Sequence, residues 1–228
     1  MQLLRRLADN TQPNSLATAA RRKRFSFFLQ LLNTLPRPIR ILDVGGTREF
    51  WNNMGFTTSP DIHVTLLNLD ASPIEEPGFS AVIGDARQMP HFRDGEFDVV
   101  FSNSVIEHVG KRADQQKMAD ELRRVGQRYF VQTPNYWFPL EPHFLFPGFQ
   151  FLPVTARVYL VTHFRLGWQP RYANRTEAQQ VIETTVLLTQ KELRQLFPDA
   201  QVYQERFMGL TKSLVVYGGW ANMPHAPK

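Results

Sequence analysis

The stretch Ile39-Arg40-Ile41-Leu42-Asp43-Val44-Gly45-Gly46-Thr47 decides the reading of the fold. A short apolar run that stops at an aspartate and two glycines reads as a buried parallel strand entering a tight turn. Glycines at such a strand end let the backbone approach a ligand closely and aim amide groups at its polar end. A glycine pair after a strand is equally a tight turn with no ligand, so Gly45, Gly46 and Thr47 need support from elsewhere in the chain. A pyrophosphate cradle wants the longer G-x-G-x-x-G pattern, which makes a dinucleotide the lesser guest.

Support comes downstream. Asp70, with Ala71 beside it, closes the next apolar run, His63 to Leu69, where a carboxylate can accept both hydroxyls of a ribose or simply cap a turn. Gly84-Asp85-Ala86 follows a third run, Ser80 to Ile83. There Asp85 can accept from an adenine amino group, while Ala86 and Met89 offer an apolar wall. In this order the three sites describe an adenosine-type ligand.

Further runs at Phe97 to Phe101 and Arg128 to Gln132, with helical patterns such as Lys111 to Arg124 between them, predict βαβ units and a doubly wound parallel sheet. Upstream, Phe25, Phe28, Leu29, Leu32 and Leu35 recur at helical spacing in a helix over Ser15 to Leu35, expected to cross a sheet edge and stopped by Pro36 and Pro38. Downstream, helices are expected over Thr47 to Met54, Thr176 to Leu188 and Thr189 to Phe197. Strands over Gln201 to Phe207 and Lys212 to Tyr217, joined by Met208-Gly209-Leu210, read as a closing hairpin. Asn222 to Lys228 reads as a loose tail. One domain over 1–228 is expected, with an N-terminal helical segment at 1–38 and a Pro/Phe-rich insertion at 134–172.

Taken together, Leu42-Asp43-Val44-Gly45-Gly46, Asn68-Leu69-Asp70, Gly84-Asp85-Ala86 and the run Phe97-Asp98-Val99-Val100-Phe101-Ser102-Asn103-Ser104-Val105-Ile106-Glu107-His108-Val109 resemble the small-molecule, type 11-like branch of class I S-adenosylmethionine-dependent methyltransferases. The resemblance implies a Rossmann-like α/β fold: seven strands, the last antiparallel, with helices on both faces. It implies S-adenosylmethionine as cofactor, with Asp43, Gly45 and Gly46 at its methionine part and Asp70 and Ala71 at its ribose. Asp85 and Ala86 would then meet the adenine, and Asn103 and Ser104 would line the reactive side. Thr47 stands where that family usually has a second motif glycine, which narrows the turn.

Methyl transfer needs little beyond positioning, because a sulfonium methyl is already electrophilic and an acceptor atom held about 3 Å away gains most from orientation and exclusion of water. If the acceptor must lose a proton early, His108 and His143 are the candidate bases. Glu141 lies two residues before His143 across a proline, so in extended chain the two side chains point the same way and can pair. Each could equally be a structural hydrogen-bonding residue. No metal-ligand spacing stands out along the sequence. The segment Thr133 to Val161 carries Trp137, Phe138, Phe144, Phe146, Phe149 and Phe151, which suits a cover over an apolar, aromatic or lipid-linked acceptor.

Composition narrows the alternatives. The chain has no cysteine, which removes disulfides, thiolate metal sites and the pyrimidine C5 methylation mechanism. Its formal charge of +5 favours anionic partners, but the basic residues have no aromatic interleaving, so a nucleic-acid methyltransferase is the lesser reading. Ser102-Asn103-Ser104-Val105 also lacks the prolines and aromatic of amino-methylating enzymes. No apolar run reaches the roughly 18 residues of a membrane span, and a cytoplasmic location is expected. A third reading keeps the fold without catalysis, docked on a membrane surface by Arg21 to Arg24 and the Phe-rich segment.

Overall fold

Strand formation follows the apolar runs closely. The computed structural model describes residues 15–56, 60–70, 74 and 76–221. β1 (Ile39–Val44), β2 (Ile62–Asn68), β3 (Phe79–Ile83), β4 (Val99–Asn103) and β5 (Tyr129–Pro134) are joined by crossovers and pair in parallel. A two-residue hairpin, β6 (Leu140–Glu141) with β7 (Phe146–Pro147), follows β5. The chain closes with β8 (Gln201–Phe207) and β9 (Leu210–Gly218), an antiparallel pair whose β9 is also antiparallel to β5. The seven-stranded order is β3-β2-β1-β4-β5-β9-β8. Strand order reverses between β1 and β4, so their C-terminal ends diverge and leave a crevice, the usual ligand position in such sheets.

Six α-helices are described: α1 (Leu16–Leu32), α2 (Arg48–Asn53), α3 (Arg112–Val125), α4 (Val154–His163), α5 (Arg175–Thr184) and α6 (Gln190–Leu196). α1 covers a face of the sheet rather than an edge. Phe25, Phe27, Phe28, Leu31 and Leu32 are buried with Ile41, Val64, Phe101, Phe130 and Tyr217 from the strands beneath. Helical period alone says that a stripe is buried, not which part of a sheet receives it. Burying each such side chain contributes about 2 kcal/mol. On the opposite face, Met118, Ala119 and Leu122 of α3 and Leu193 and Leu196 of α6 pack on Leu42, Val100 and Val131. The segment after β5 has its own apolar centre, Phe144, Phe149, Val158, Val161, Leu166 and Tyr172, shared with Ala178 and Ile182 of α5.

Two further expectations are corrected. α5 ends at Thr184, not Leu188, because the β-branched Thr184, Thr185 and Val186 favour extended chain. That extended chain ties to its neighbours: Val186 N–H donates to the Glu107 carbonyl at 2.8 Å, and Tyr136 N–H to the Leu188 carbonyl at 3.0 Å. The basic start of α1, read in the sequence as a membrane-docking patch, is not exposed throughout. Arg24 is buried and donates to Glu205 Oε2 at 2.6 Å and to Asn103 Oδ1 at 2.9 Å. The closing turn is the two residues Met208 and Gly209, both at positive φ, as a hairpin twist requires. The tail at 222–228 lies outside the described residues.

Candidate active site

The glycine turn is built to keep a carboxylate beneath it. Gly45 has φ +73° and lies under Val105, whose Cγ2 would stand 2.5 Å from any added Cβ. A Cβ on Gly46 would fall 1.7 Å from Asp43 Oδ2, so the turn closes over Asp43 only as glycine. Asp43 is buried, and its Oδ2 accepts from the indole Nε1–H of Trp51 at 2.7 Å. Its Oδ1 is buried with no hydrogen-bond partner among the described residues. Burial pushes this carboxyl up to about 7, against the indole bond, which lowers it. Asn68 Nδ2 donates to the Gly46 carbonyl at 2.9 Å and ties the turn to β2. Thr47 has φ −127°, ordinary extended backbone, and its Oγ1 caps α2 by accepting from Phe50 N–H. No glycine is needed there, which accounts for the departure noted in the sequence.

The other residues read in the sequence as cofactor contacts stand along the same edge. Asp70 follows β2 and is exposed, while Ala71 lies outside the described residues. Asp85 follows β3, its carboxylate held by the Arg87 guanidinium, with Arg87 Nη2 at 2.6 Å from Oδ2. Those hydrogen bonds hold its pKa below the usual carboxylate range. Ala86 packs against the α3 side of the core. Asn103 ends β4 with its Oδ1 on Arg24. Ser104 takes a left-handed φ of 59°, an uncommon state for a side-chain-bearing residue. Two bonds hold it there, its N–H to the Gln132 carbonyl at 3.0 Å and its Oγ–H to Gln132 Oε1 at 2.9 Å.

Beyond Ser104 the chain makes a 3-10 turn, Ile106–His108, which brings Glu107 and His108 to the sheet's C-terminal edge. The hairpin after β5 returns Glu141 and His143 to the same place. His143 Nδ1–H donates to Glu141 Oε1 at 2.6 Å, and Glu141 Oε2 accepts from the backbone N–H of His143 and of Phe144 at 2.8 and 2.7 Å. The His108 and His143 rings meet edge to face with centroids 4.7 Å apart. Glu107 is fully buried: its Oε2 accepts from Thr133 Oγ1 at 3.0 Å, and its Oε1 has no hydrogen-bond partner among the described residues. Burial raises Glu107 to about 7. Burial opposes charge on His143, but the bond to Glu141 and the charges of Glu141 and Glu107 outweigh it and hold His143 above the ordinary imidazole value. Desolvation, then the neighbouring His143, lowers His108 to about 4, although the residue is exposed overall.

A cavity of about 270 Å³ adjoins this group through Glu141. Its walls include Tyr136, Phe144 and Phe149, with Gln150 and Arg157 as polar members. Gln150 Oε1 and Arg157 Nε are buried there without hydrogen-bond partners among the described residues.

Sequence reasoning named His108, Glu141 and His143 but gave Glu107, Thr133 and Trp51 no role. Glu107 carried a signal in its adjacency to His108. Its burial and its closeness to His143 depend on the path of the hairpin, which no local pattern encodes.

Residues 42–128 match the family model of a methyltransferase domain, type 11. The chain is 39% identical over 62 residues to an uncharacterized protein of Mycobacterium tuberculosis, an alignment covering 27% of this chain and 21% of that protein. It therefore spans only about a fifth of the curated relative it matches. Among solved structures, an S-adenosylmethionine-dependent methyltransferase from Methanosarcina mazei superposes with a TM-score of 0.50 at 14% identity, covering 82% of this chain and 95% of that one. Magnesium protoporphyrin IX methyltransferase from Synechocystis, with bound S-adenosylhomocysteine, gives 0.51 at 10% identity, covering 87% and 82%. Residues 42–128 are thus similar to a methyltransferase domain, and the two solved structures share the fold of the chain.

Proposed function

We propose that the chain is a cytoplasmic methyltransferase that moves the methyl group of S-adenosylmethionine to an oxygen of a small molecule. Asp43 and the Gly45-Gly46 backbone would hold the methionine part, Asp70 and Ala71 the ribose, and Asp85 and Ala86 the adenine. The buried, unpartnered Oδ1 of Asp43 fits this, since a ligand ammonium would supply its missing donor. Asn103 and Ser104 would border the reactive methyl. The acceptor would lie between this edge and the cavity under the 134–172 segment.

The observation that carries the choice of oxygen is the Glu141-His143 pair at 2.6 Å, with His108 against it. A histidine whose Nδ1–H is committed to a carboxylate presents Nε2 as acceptor, the form that engages a hydroxyl as it loses its proton. Incubation with methyl-labelled S-adenosylmethionine and a panel of phenols, hydroxylated apolar molecules, amines and RNA tests the reading. Label on the hydroxylated compounds supports it; label on RNA or amines alone refutes it.

The exposed aromatic rim of the same segment, Trp137, Phe151, Tyr159, Phe164 and Trp168, favours an acceptor drawn from a lipid surface. Among the described residues no helix is long and apolar enough to cross a membrane, so such contact would be peripheral. A chain left in the supernatant after sedimentation with anionic liposomes at low salt would rule that contact out.

A further inference from the structure

Glu107, His108 and His143 each offer one donor atom, the three atoms lying within 4.8 Å of one another. A general base would need only His143 and its carboxylate. It leaves unexplained why a fully buried glutamate keeps one oxygen without a partner beside two imidazoles. We propose that Glu107, His108 and His143 hold one divalent first-row transition cation, such as zinc, manganese or iron(II), at the acceptor side of the cofactor crevice.

The donor set argues for this class of ion. Two imidazoles and one carboxylate suit zinc and its neighbours, whereas magnesium and calcium favour oxygen donors throughout. Ligand atoms bound at about 2.1 Å stand roughly 3 to 4 Å apart, so small side-chain rotations would close the set. The supporting partners are present. Glu141 takes His143 Nδ1–H, leaving Nε2 to coordinate, and is itself fixed by two backbone N–H groups. Thr133 orients Glu107 through Oε2, leaving Oε1 for the cation. Three protein ligands leave open positions, the pattern of a catalytic rather than a structural site.

This inference rests on the methyltransferase reading and deepens it, because the imidazoles would then engage the acceptor hydroxyl through the cation. Bound there, the hydroxyl gives its proton to solvent. The oxygen lone pair attacks the sulfonium methyl, the C–S bonding pair stays on sulfur, and S-adenosylhomocysteine leaves. The acceptor is thereby narrowed to molecules whose oxygen a cation can ionise, such as phenols, enols and hydroxy acids.

The test is cobalt(II) titration of the chelator-treated full chain, followed by visible ligand-field absorption, with S-adenosylhomocysteine calorimetry on the same samples. The proposal expects a single tight equivalent of cobalt, displaced by zinc. It expects cobalt affinity to fall at least tenfold in Glu107→Gln and in His108→Ala while S-adenosylhomocysteine binding is kept, which shows that the variants are folded. Absence of a cobalt spectrum in a wild type that binds S-adenosylhomocysteine overturns the cation and leaves His143 as a direct base. Unchanged cobalt binding in both variants overturns it equally. A wild type that binds neither removes the methyltransferase reading as well.

Discussion

Asp43 and Glu107 face the same physical problem at two neighbouring strand ends. Each is buried, each has one oxygen satisfied by a neutral donor, Trp51 or Thr133, and each keeps the other oxygen without a partner. Burial raises both carboxyls to about 7. Their settings differ. Asp43 sits under the glycine turn with the Trp51 indole as its donor, whereas Glu107 looks onto two imidazoles, one of them, His143, brought in by a different part of the chain. Under the proposed roles, the first carboxylate awaits a ligand's ammonium and the second serves the acceptor. Two like groups at the diverging ends of β1 and β4 would thus divide cofactor binding from chemistry.

Variants can break that division. The largest effect is expected on the acceptor side: Glu107→Gln and His143→Ala should each lower kcat/KM for methyl transfer by about 10² to 10⁴ with S-adenosylhomocysteine affinity unchanged. Equal losses of binding would merge the two sites into one. On the cofactor side, Trp51→Phe removes the donor to a buried carboxyl and leaves a small void. It should cost roughly 3 kcal/mol in denaturant unfolding.

The division also has a pH signature. With its ligand-free value near 7, Asp43 is protonated below that pH, and a ligand ammonium favours the ionised form. S-adenosylmethionine affinity should therefore fall about fivefold from pH 7 to pH 6, with proton release on binding, and Asp43→Asn should flatten that slope. For the ligand-free fold the sign is opposite. A raised carboxyl makes the native state hold a proton that the unfolded chain releases above about pH 4, so this position loses stability as pH rises from there to about 7. The smallest effect is at Thr47, where Thr47→Ala should cost about 1 kcal/mol through loss of the α2 cap, and calorimetric melting would register it.

How much of this was legible in the sequence follows the range of the interactions. β1 was read to the residue, because a continuous apolar run closed by Asp43 and two glycines is a local signal. α3 and the β8-β9 hairpin were read nearly as well, through helical spacing and a Met-Gly turn. The Glu141-His143 pair could be foreseen because only Pro142 separates its members. What escaped was long-range. Arg24 stood in the basic run Arg21 to Arg24, read as a membrane-docking patch, until folding set it between Glu205 and Asn103, partners 181 and 79 positions away in the chain. Glu107 stood in the quoted motif with no role, since its relation to His143 arises only when the hairpin after β5 folds back over the turn after β4.

The central claim is that cofactor binding and acceptor chemistry occupy separate residues along one sheet edge, and calorimetric titration of S-adenosylhomocysteine tests it most directly. The account predicts tight binding to the wild type and to Glu107→Gln, and binding at least tenfold weaker in Asp70→Ala, whose exposed carboxylate would lose the ribose without disturbing the core. Binding lost in Glu107→Gln but kept in Asp70→Ala would contradict the division, and a wild type that takes up no S-adenosylhomocysteine would contradict the function.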